Sequence, residues 1–372
     1  MKVLFVDDEP RVLEAIERTL FQLDVDWDVR FAEGGPAALT ELAASHFDVI
    51  VSDMRMPGMD GAALLSHVCE KYPHVARIVL SGQTDEAAAF RVVRVAHQFL
   101  AKPCASETLR QVIERTRELR SWLSEERLQA TVGRLDRLPS TPHLFSALNK
   151  ALDDESASAD TVANIVRQDP AMSSKVLQVV NSSFFSSGAN VSDVRAAVVR
   201  LGMKTIRNLA LGIGAFDAVG KDTSSAVVNE LQARSLAIAQ LASRIAQGRE
   251  ETDAAFMAGL VCNVGELVLA AVPASVAVPE AAPAENVTQD QPASVTHAEV
   301  GAFLLGLWGL PFRIVEAVAN HHAPWRNAHD RLGLPQIVWL SSCLVQGIEP
   351  DAEYLERIGA RELLPKFKGM MS

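Results

Sequence analysis

Apolar runs near the start of the chain end on residues that can do chemistry. Val3-Leu4-Phe5-Val6 leads into Asp7-Asp8-Glu9, Val49-Ile50-Val51 into Ser52-Asp53, Ile78-Val79-Leu80 into Ser81-Gly82, and Phe99-Leu100-Ala101 into Lys102-Pro103. Such runs suit strands buried on both faces of a parallel sheet, and the carboxyl edge of that sheet is where open α/β folds keep their chemistry. If the runs lie parallel, Asp7, Asp8, Asp53, Ser81 and Lys102 gather at one edge. Clustered carboxylates repel one another unless a cation joins them, and an all-oxygen donor set that keeps several waters suits magnesium. Carboxylates, a hydroxyl and an ammonium around a hard cation make a site for handling phosphate.

The intervening segments read as the helices that hold these strands apart. Pro10 fits the first turn of a helix whose apolar face is Val12, Leu13, Ile16 and Leu20. Gly34-Gly35 opens a second helix and Thr84-Asp85 a fourth, while Met56-Pro57-Gly58 forces a turn after which Asp60 caps a third from Gly61. This alternation predicts an α/β fold, a doubly wound five-stranded parallel sheet with five helices. From Ser106 no Gly or Pro interrupts the fifth helix until Gly133. Leu109, Val112, Thr116, Leu119, Leu123, Glu126 and Ala130 follow a three-four spacing along it. That seam fits a short parallel coiled coil joining two copies of the chain through helix 105–135, or one long amphipathic helix folded against its own domain. Thr116 and Glu126 on the seam weaken the dimer.

Composition bounds the function. With 372 residues the chain is expected to hold two or three domains, and 48% apolar with 22% charged residues is the make-up of a globular protein. A net charge of -11 at pH 7 disfavours a nucleic-acid partner, which calls for clustered Lys and Arg. Cys69, Cys104, Cys262 and Cys343 form no CxxC pair and read as buried small apolar residues in a reducing compartment. The N-terminus goes straight into a charged strand, and the stretch taken as the longest apolar one, Leu267 to Pro279, is too short for a membrane span. A cytoplasmic protein with no membrane partner is expected.

Taken together, the five features in fixed order make residues 1 to about 120 resemble the receiver domain of bacterial two-component response regulators. The resemblance implies that Asp53 is the phosphoacceptor and that Asp7 and Asp8 are the acidic pair that holds Mg2+, with Asp53 and the backbone carbonyl of Arg55 completing the protein's share of the metal shell. It implies Ser81 as the switch hydroxyl, Lys102 as the lysine that pairs with the phosphoryl group, Phe99 as the aromatic switch position, and a cis Lys102-Pro103 bond. A histidine kinase is the implied partner.

After Leu138-Pro139-Ser140-Thr141-Pro142 the pattern turns helical, with Asp169-Pro170 starting a helix that carries Met172, Val176, Leu177 and Val180 on one face. Pro273 to Pro292 reads as a surface loop or lid. The phrases IVRQDPAMSSKVLQVVNSSFF (165–185), VVRLGMKTIRNLAL (198–211), AGLVCNVGELVL (258–269) and HAEVGAFLLGLWGLPFRIVEAVANHH (297–322) resemble the HDOD domain, an all-α relative of the HD-type metal phosphohydrolases. The resemblance implies an HD-like helical fold. Such an enzyme needs histidines and a His-Asp pair on a metal that makes hydroxide near neutral pH. Here Cys262-Asn263 stands in place of the pair, and Arg234 is nearest to where an upstream histidine is expected. His297, His321 and His322 survive, with Glu299 and Glu316 near them in sequence.

These histidines are either a depleted metal or nucleotide site or residues that satisfy the core, and no metal is expected in this domain. Cys262, among apolar neighbours, reads as an inert thiol. The expected division is 1–120 for the receiver domain, 121–138 for a helical linker continuing its fifth helix, 139–345 for the HDOD domain and 346–372 for a C-terminal tail or helix packed on it. The function implied is relay of a phosphoryl signal from Asp53 to a non-catalytic HDOD module that contacts an unknown downstream protein. The alternatives are an HD-type phosphohydrolase acting on a cyclic dinucleotide, or a nucleotide-sensing module.

Overall fold

The sheet forms where the apolar runs predict it. The computed structural model describes residues 1–82, 95–122, 126–133, 135, 138, 140, 142–154, 156–182, 190–207, 209–210, 225–249, 251–271, 296–326 and 331–370. Strands β1 (Lys2–Asp7), β2 (Asp28–Glu33), β3 (Val49–Asp53), β4 (Ala76–Gly82) and β5 (Gln98–Lys102) pair in parallel in the order β2-β1-β3-β4-β5. Val49, Ile50 and Val51 are fully buried, as a strand covered on both faces must be. The edge strand β2 instead exposes Asp28, Arg30 and Glu33. Because the strand order reverses around β1, the carboxyl ends of β1 and β3 open a crevice between them.

The helices Pro10–Gln22, Gly35–Ala44 and Gly61–Lys71 cover this sheet with their expected faces, Leu13 and Leu20 being buried on the first. Asp60 caps the third by accepting from the Ala63 amide at 2.8 Å. The helix expected after Thr84-Asp85 lies outside the described residues. So does the continuity of the long helix, which is described as Ser106–Trp122 and Glu126–Gly133.

The seam on that long helix is used inside the chain. Leu109, Thr116 and Leu119 are buried within one molecule, and Leu119 packs so closely on Gly306 of the helix His297–Leu307 that a Cβ there would overlap it. The same spacing that fits a coiled coil serves intrachain packing at Leu109, Thr116 and Leu119. Leu123 falls outside the described residues.

Every element described beyond β5 is helical. Asp169, fully buried, caps the helix Pro170–Asn181 by accepting from the Ala171 and Met172 amides, and also accepts from Gln232 Nε2 at 2.9 Å and from Ser140 Oγ. One carboxylate thus ties three separate segments together, although burial pushes its pKa up against those hydrogen bonds. The helix Ser225–Ile245 packs along Thr252–Val261, and at the C-terminus Tyr354 and Phe367 are buried, the Tyr354 ring 5.2 Å from that of Trp339. The buried apolar residues of the sheet and of the helices form one continuous cluster.

Two compositional expectations change. Among the described residues, Thr252–Ala270 is long and apolar enough to cross a membrane, with mean hydropathy 1.5, but 78% of that window is buried inside the fold. Much of Leu267 to Pro279, and all of Pro273 to Pro292, lies outside the described residues. Cys262 and Cys343 are buried, whereas Cys69 and Cys104 are only half-buried.

Leu119→Ala is expected to lower the stability measured by denaturant unfolding by about 2–5 kcal/mol, the range for emptying a buried leucine site. An unchanged unfolding midpoint would remove Leu119 from the contact between the two halves.

Candidate functional site

The crevice at the ends of β1 and β3 brings together the residues that the sequence singles out. Asp7 and Asp53 are 2% and 7% exposed, Asp8 just beyond β1 is exposed, and Lys102 reaches across from the end of β5. Its Nζ donates to Asp7 Oδ2 at 2.7 Å and pairs with Asp53 Oδ1. The second Asp53 oxygen accepts from the Arg55 amide at 2.6 Å, and Asp7 Oδ1 from the Glu9 amide at 3.0 Å. Burial alone would lower the Lys102 pKa, but hydrogen bonds to Asp53 and Asp7 outweigh it and the pKa is raised, so the ammonium stays charged at neutral pH.

Ser81 is buried at the end of β4, its hydroxyl directed to the Gly82 carbonyl at 3.4 Å. Phe99 is buried in the middle of β5 opposite Val79, and the Lys102-Pro103 bond is cis. Asp7, Asp8 and Asp53 carry three negative charges against the one positive charge of Lys102, a donor set that fits a hard divalent cation.

The second cluster lies in the helical half. His297 starts one helix and His321-His322 follow the end of another, and one ring nitrogen of each lies within 4.8 Å of the others. Gly265 and Gly301 allow this: a Cβ on Gly301 would come 2.8 Å from the Gly265 amide nitrogen, so the helices Val264–Ala271 and His297–Leu307 meet backbone to backbone. His297 Nε2 and His322 Nε2 are 2.9 Å apart, and His321 Nδ1 is 2.7 Å from the Val318 carbonyl. Glu266 Oε1 lies 3.7 Å from His297 Nε2, while Glu266 Oε2 accepts from Arg234 Nη2. Burial pushes the pKa of His297 down to about 3 and of His321 to about 4, with Arg234 adding to both, and holds His322 well below the usual imidazole range. All three imidazoles are neutral near pH 7.

Cys262 and Asn263 do not join this convergence. Burial pushes the Cys262 thiol up to about 12 and its Sγ donates to the Gly259 carbonyl, while Asn263 Nδ2 donates to Ser235 Oγ at 3.3 Å. Glu299 forms a capping box with Thr296 and pairs with Arg326.

Sequence reading misses Glu266, although it lies one helical turn past Asn263 on the way to the histidines. It also misses Arg77, a charge inside the apolar run of β4. Arg77 is 1% exposed, donates to the Val75, Val95 and Gly133 carbonyls, contacts His97 Nε2 at 2.8 Å, and has its pKa lowered to about 10 by burial.

The receiver and helical halves meet along β5 and the Ser106–Trp122 helix. Gln178 Nε2 donates to the His97 carbonyl at 3.2 Å, Gln98 Nε2 to the Gly306 carbonyl at 3.4 Å, and Arg115 Nη2 to the Leu310 carbonyl. Phe99 and Trp308 border a cavity of about 470 Å³ between the halves.

Comparison with known proteins agrees with this architecture. The family model for the response regulator receiver domain matches residues 3–114, and that for the HDOD domain matches residues 138–324. The chain belongs to the HDOD domain family and is a two-component response regulator whose N-terminal part is a receiver domain.

A hydrogenase transcriptional regulatory protein, HoxA of Cupriavidus necator, is 34% identical over 173 residues, 44% of this chain and 32% of that protein. An uncharacterized protein of Treponema pallidum is 26% identical over 221 residues, 57% of this chain and 43% of its own length. The chain thus spans less than half the length of these two relatives. Among solved structures, the receiver domain of an HD domain-containing protein from Pseudomonas fluorescens aligns with 27% identity over 32% of this chain and 97% of that one, at a TM-score of 0.29.

The histidine cluster sets a pH dependence. An unfolded chain takes up protons below the ordinary histidine value of 6.5, whereas folded His297 and His321 resist until about 3 and about 4. Stability is therefore present above pH 6.5 and lost as pH falls from there toward 4, with each buried histidine contributing up to about 1.4 kcal/mol per pH unit. Denaturant unfolding in chelator-containing buffer from pH 7 to 4.5 checks this: His297→Gln flattens the slope, and equal slopes for variant and wild type would contradict it.

Proposed function

We propose that this protein accepts a phosphoryl group on Asp53 from a histidine kinase and relays the event to an HDOD domain that acts by protein contact. One observation carries the reading: β5 ends in Lys102, which holds Asp53, and at its other end Gln98 and the preceding His97 bond the helical half. The proposed division is 1–120 for the receiver domain, 121–138 for the linker, 139–345 for the HDOD domain and 346–372 for the C-terminal segment.

In the proposed transfer an Asp53 carboxylate oxygen attacks the phosphorus of a phosphohistidine, a P–O bond forms, and the P–N bond breaks with its electrons returning to the donor imidazole. Asp7, Asp8, Asp53 and the Arg55 carbonyl are the groups that would hold Mg2+. When bound, the ion neutralises the carboxylates and the phosphoryl oxygens. Lys102 exchanges its contact with Asp53 Oδ1 for one with a phosphoryl oxygen, and the Ser81 hydroxyl leaves its weak 3.4 Å contact to donate to another. Phe99 then follows Ser81 across the β4–β5 pair, where Ser81 sits opposite Ala101. Bonds along β5 and the Ser106–Trp122 helix change with it, shifting the balance between two arrangements of the halves.

A non-catalytic output domain is supported by the state of the replaced pair. The Cys262 thiol stays protonated and bonded to its own helix, Asn263 is tied to Ser235, and Arg234 stands where a histidine ligand is expected. The net charge of -11 favours a protein partner over nucleic acid.

Loading the purified protein with magnesium and beryllium trifluoride, a phosphoryl mimic, tests the relay. Protease sensitivity and oligomeric state are expected to change in wild type and to stay unchanged in Asp53→Ala. Identical behaviour of the two proteins would discard the proposal.

A further inference from the structure

We propose that His297, His321 and His322 bind one divalent transition-metal ion of the zinc class, with Glu266 as a fourth donor, and that this ion clamps helices of the output half together. The proposal goes beyond the phosphoryl relay and does not depend on it. It revises the expectation that this half holds no metal, which rests on the replaced His-Asp pair alone.

The tautomers make the case. A carbonyl oxygen only accepts, so His321 Nδ1, 2.7 Å from the Val318 carbonyl, carries the ring proton and Nε2 keeps its lone pair. That Nε2 is buried and has no hydrogen-bond partner. An acceptor left bare inside a protein is costly, and a backbone carbonyl fixing the far ring nitrogen is how a metal-ligating histidine is oriented. His297 Nε2 and His322 Nε2 meet at 2.9 Å, so two lone-pair positions share one proton at that point. Moving that proton to the far nitrogen of its own ring frees both lone pairs for a cation, and one donor atom from each of the three histidines already lies within 4.8 Å of the others.

Charge and ligand type choose the ion. Three imidazoles suit zinc, copper or nickel, whereas magnesium prefers oxygen. Arg234 would oppose a cation, but its guanidinium is paired with Glu266 Oε2, so the two charges cancel and the Glu266 side chain is held in place. Its other oxygen, 3.7 Å from His297 Nε2, reaches the cation by a small side-chain rotation. Four protein donors leave no open position for a water to be activated, which makes the ion structural. It would join the helices Val264–Ala271, His297–Leu307 and Phe312–Asn320 at one point. The middle one is the helix whose Gly306 receives Leu119 of the receiver half.

The test uses the full chain, stripped with a chelator and then given zinc in excess magnesium, which occupies the carboxylate site of the receiver half. Zinc per chain after gel filtration and the thermal midpoint are read together. Wild type and Asp7→Asn are expected to keep one zinc per chain and to melt higher with it. His321→Ala and His297→Gln, at the less buried of the two sites, should weaken zinc binding by about a hundredfold or more. Should His321→Ala fail to fold, as judged by circular dichroism, His297→Gln decides. No zinc on wild type, equal zinc on His297→Gln, or loss of zinc in Asp7→Asn overturns the proposal. Because none of these readouts involves a phosphoryl group, failure of the relay leaves them unmoved.

Discussion

The ammonium of Lys102 held between Asp7 and Asp53 is the interaction on which the rest of the structure depends. Neighbouring strands β1 and β3 deliver two buried carboxylates to one edge, where they would repel each other in a medium of low polarity. Lys102 arrives from β5 at the far edge of the sheet and joins both. This needs every strand between them in register, and the fully buried run of β3 and the capped helix after Asp60 supply that register. One ammonium does not balance two carboxylates, and with exposed Asp8 beside them the edge keeps an excess of negative charge that a divalent cation can meet.

The second constraint is that β5 has two duties. Its end holds the acidic site, and its start, with His97 just before it, faces the helical half through the His97 carbonyl, the Gln98 amide and Phe99. A shift at one end of so short a strand is felt at the other, because close-packed interiors rearrange between discrete states and do not flex continuously. The Ser106–Trp122 helix adds Arg115 and Leu119 to the same face. Arg77 anchors the junction from behind by bonding the Gly133 carbonyl at the end of the Glu126–Gly133 helix. In the proposed relay, the contacts between site and output half run over one strand and one helix.

How much of this the sequence shows follows from how local each cause is. Asp7, Asp53 and Lys102 are legible because each ends an apolar run, and Asp60 and Asp169 because each precedes a helix. The seam of Leu109, Thr116 and Leu119 is legible as a seam but not as to its partner. The same spacing fits a second copy or the chain's own helix, and Gly306, nearly two hundred residues away, is what Leu119 meets within the chain. Arg77 is hidden because its partners come from three separate segments. The convergence of His297 on His321 and His322 is hidden for the same reason, since it requires the close approach at Gly265 and Gly301. Glu266 carries no mark until Arg234 is placed beside it.

The central claim is that the state of Asp53 is read out at the contact between β5 and the helical half. Amide hydrogen exchange with and without beryllium trifluoride and magnesium measures this most directly. The account predicts faster exchange at residues 97–99 and 306–310 in wild type on adding the mimic, with no change in Asp53→Ala. Exchange that changes around Asp53 but not at those two segments would contradict it.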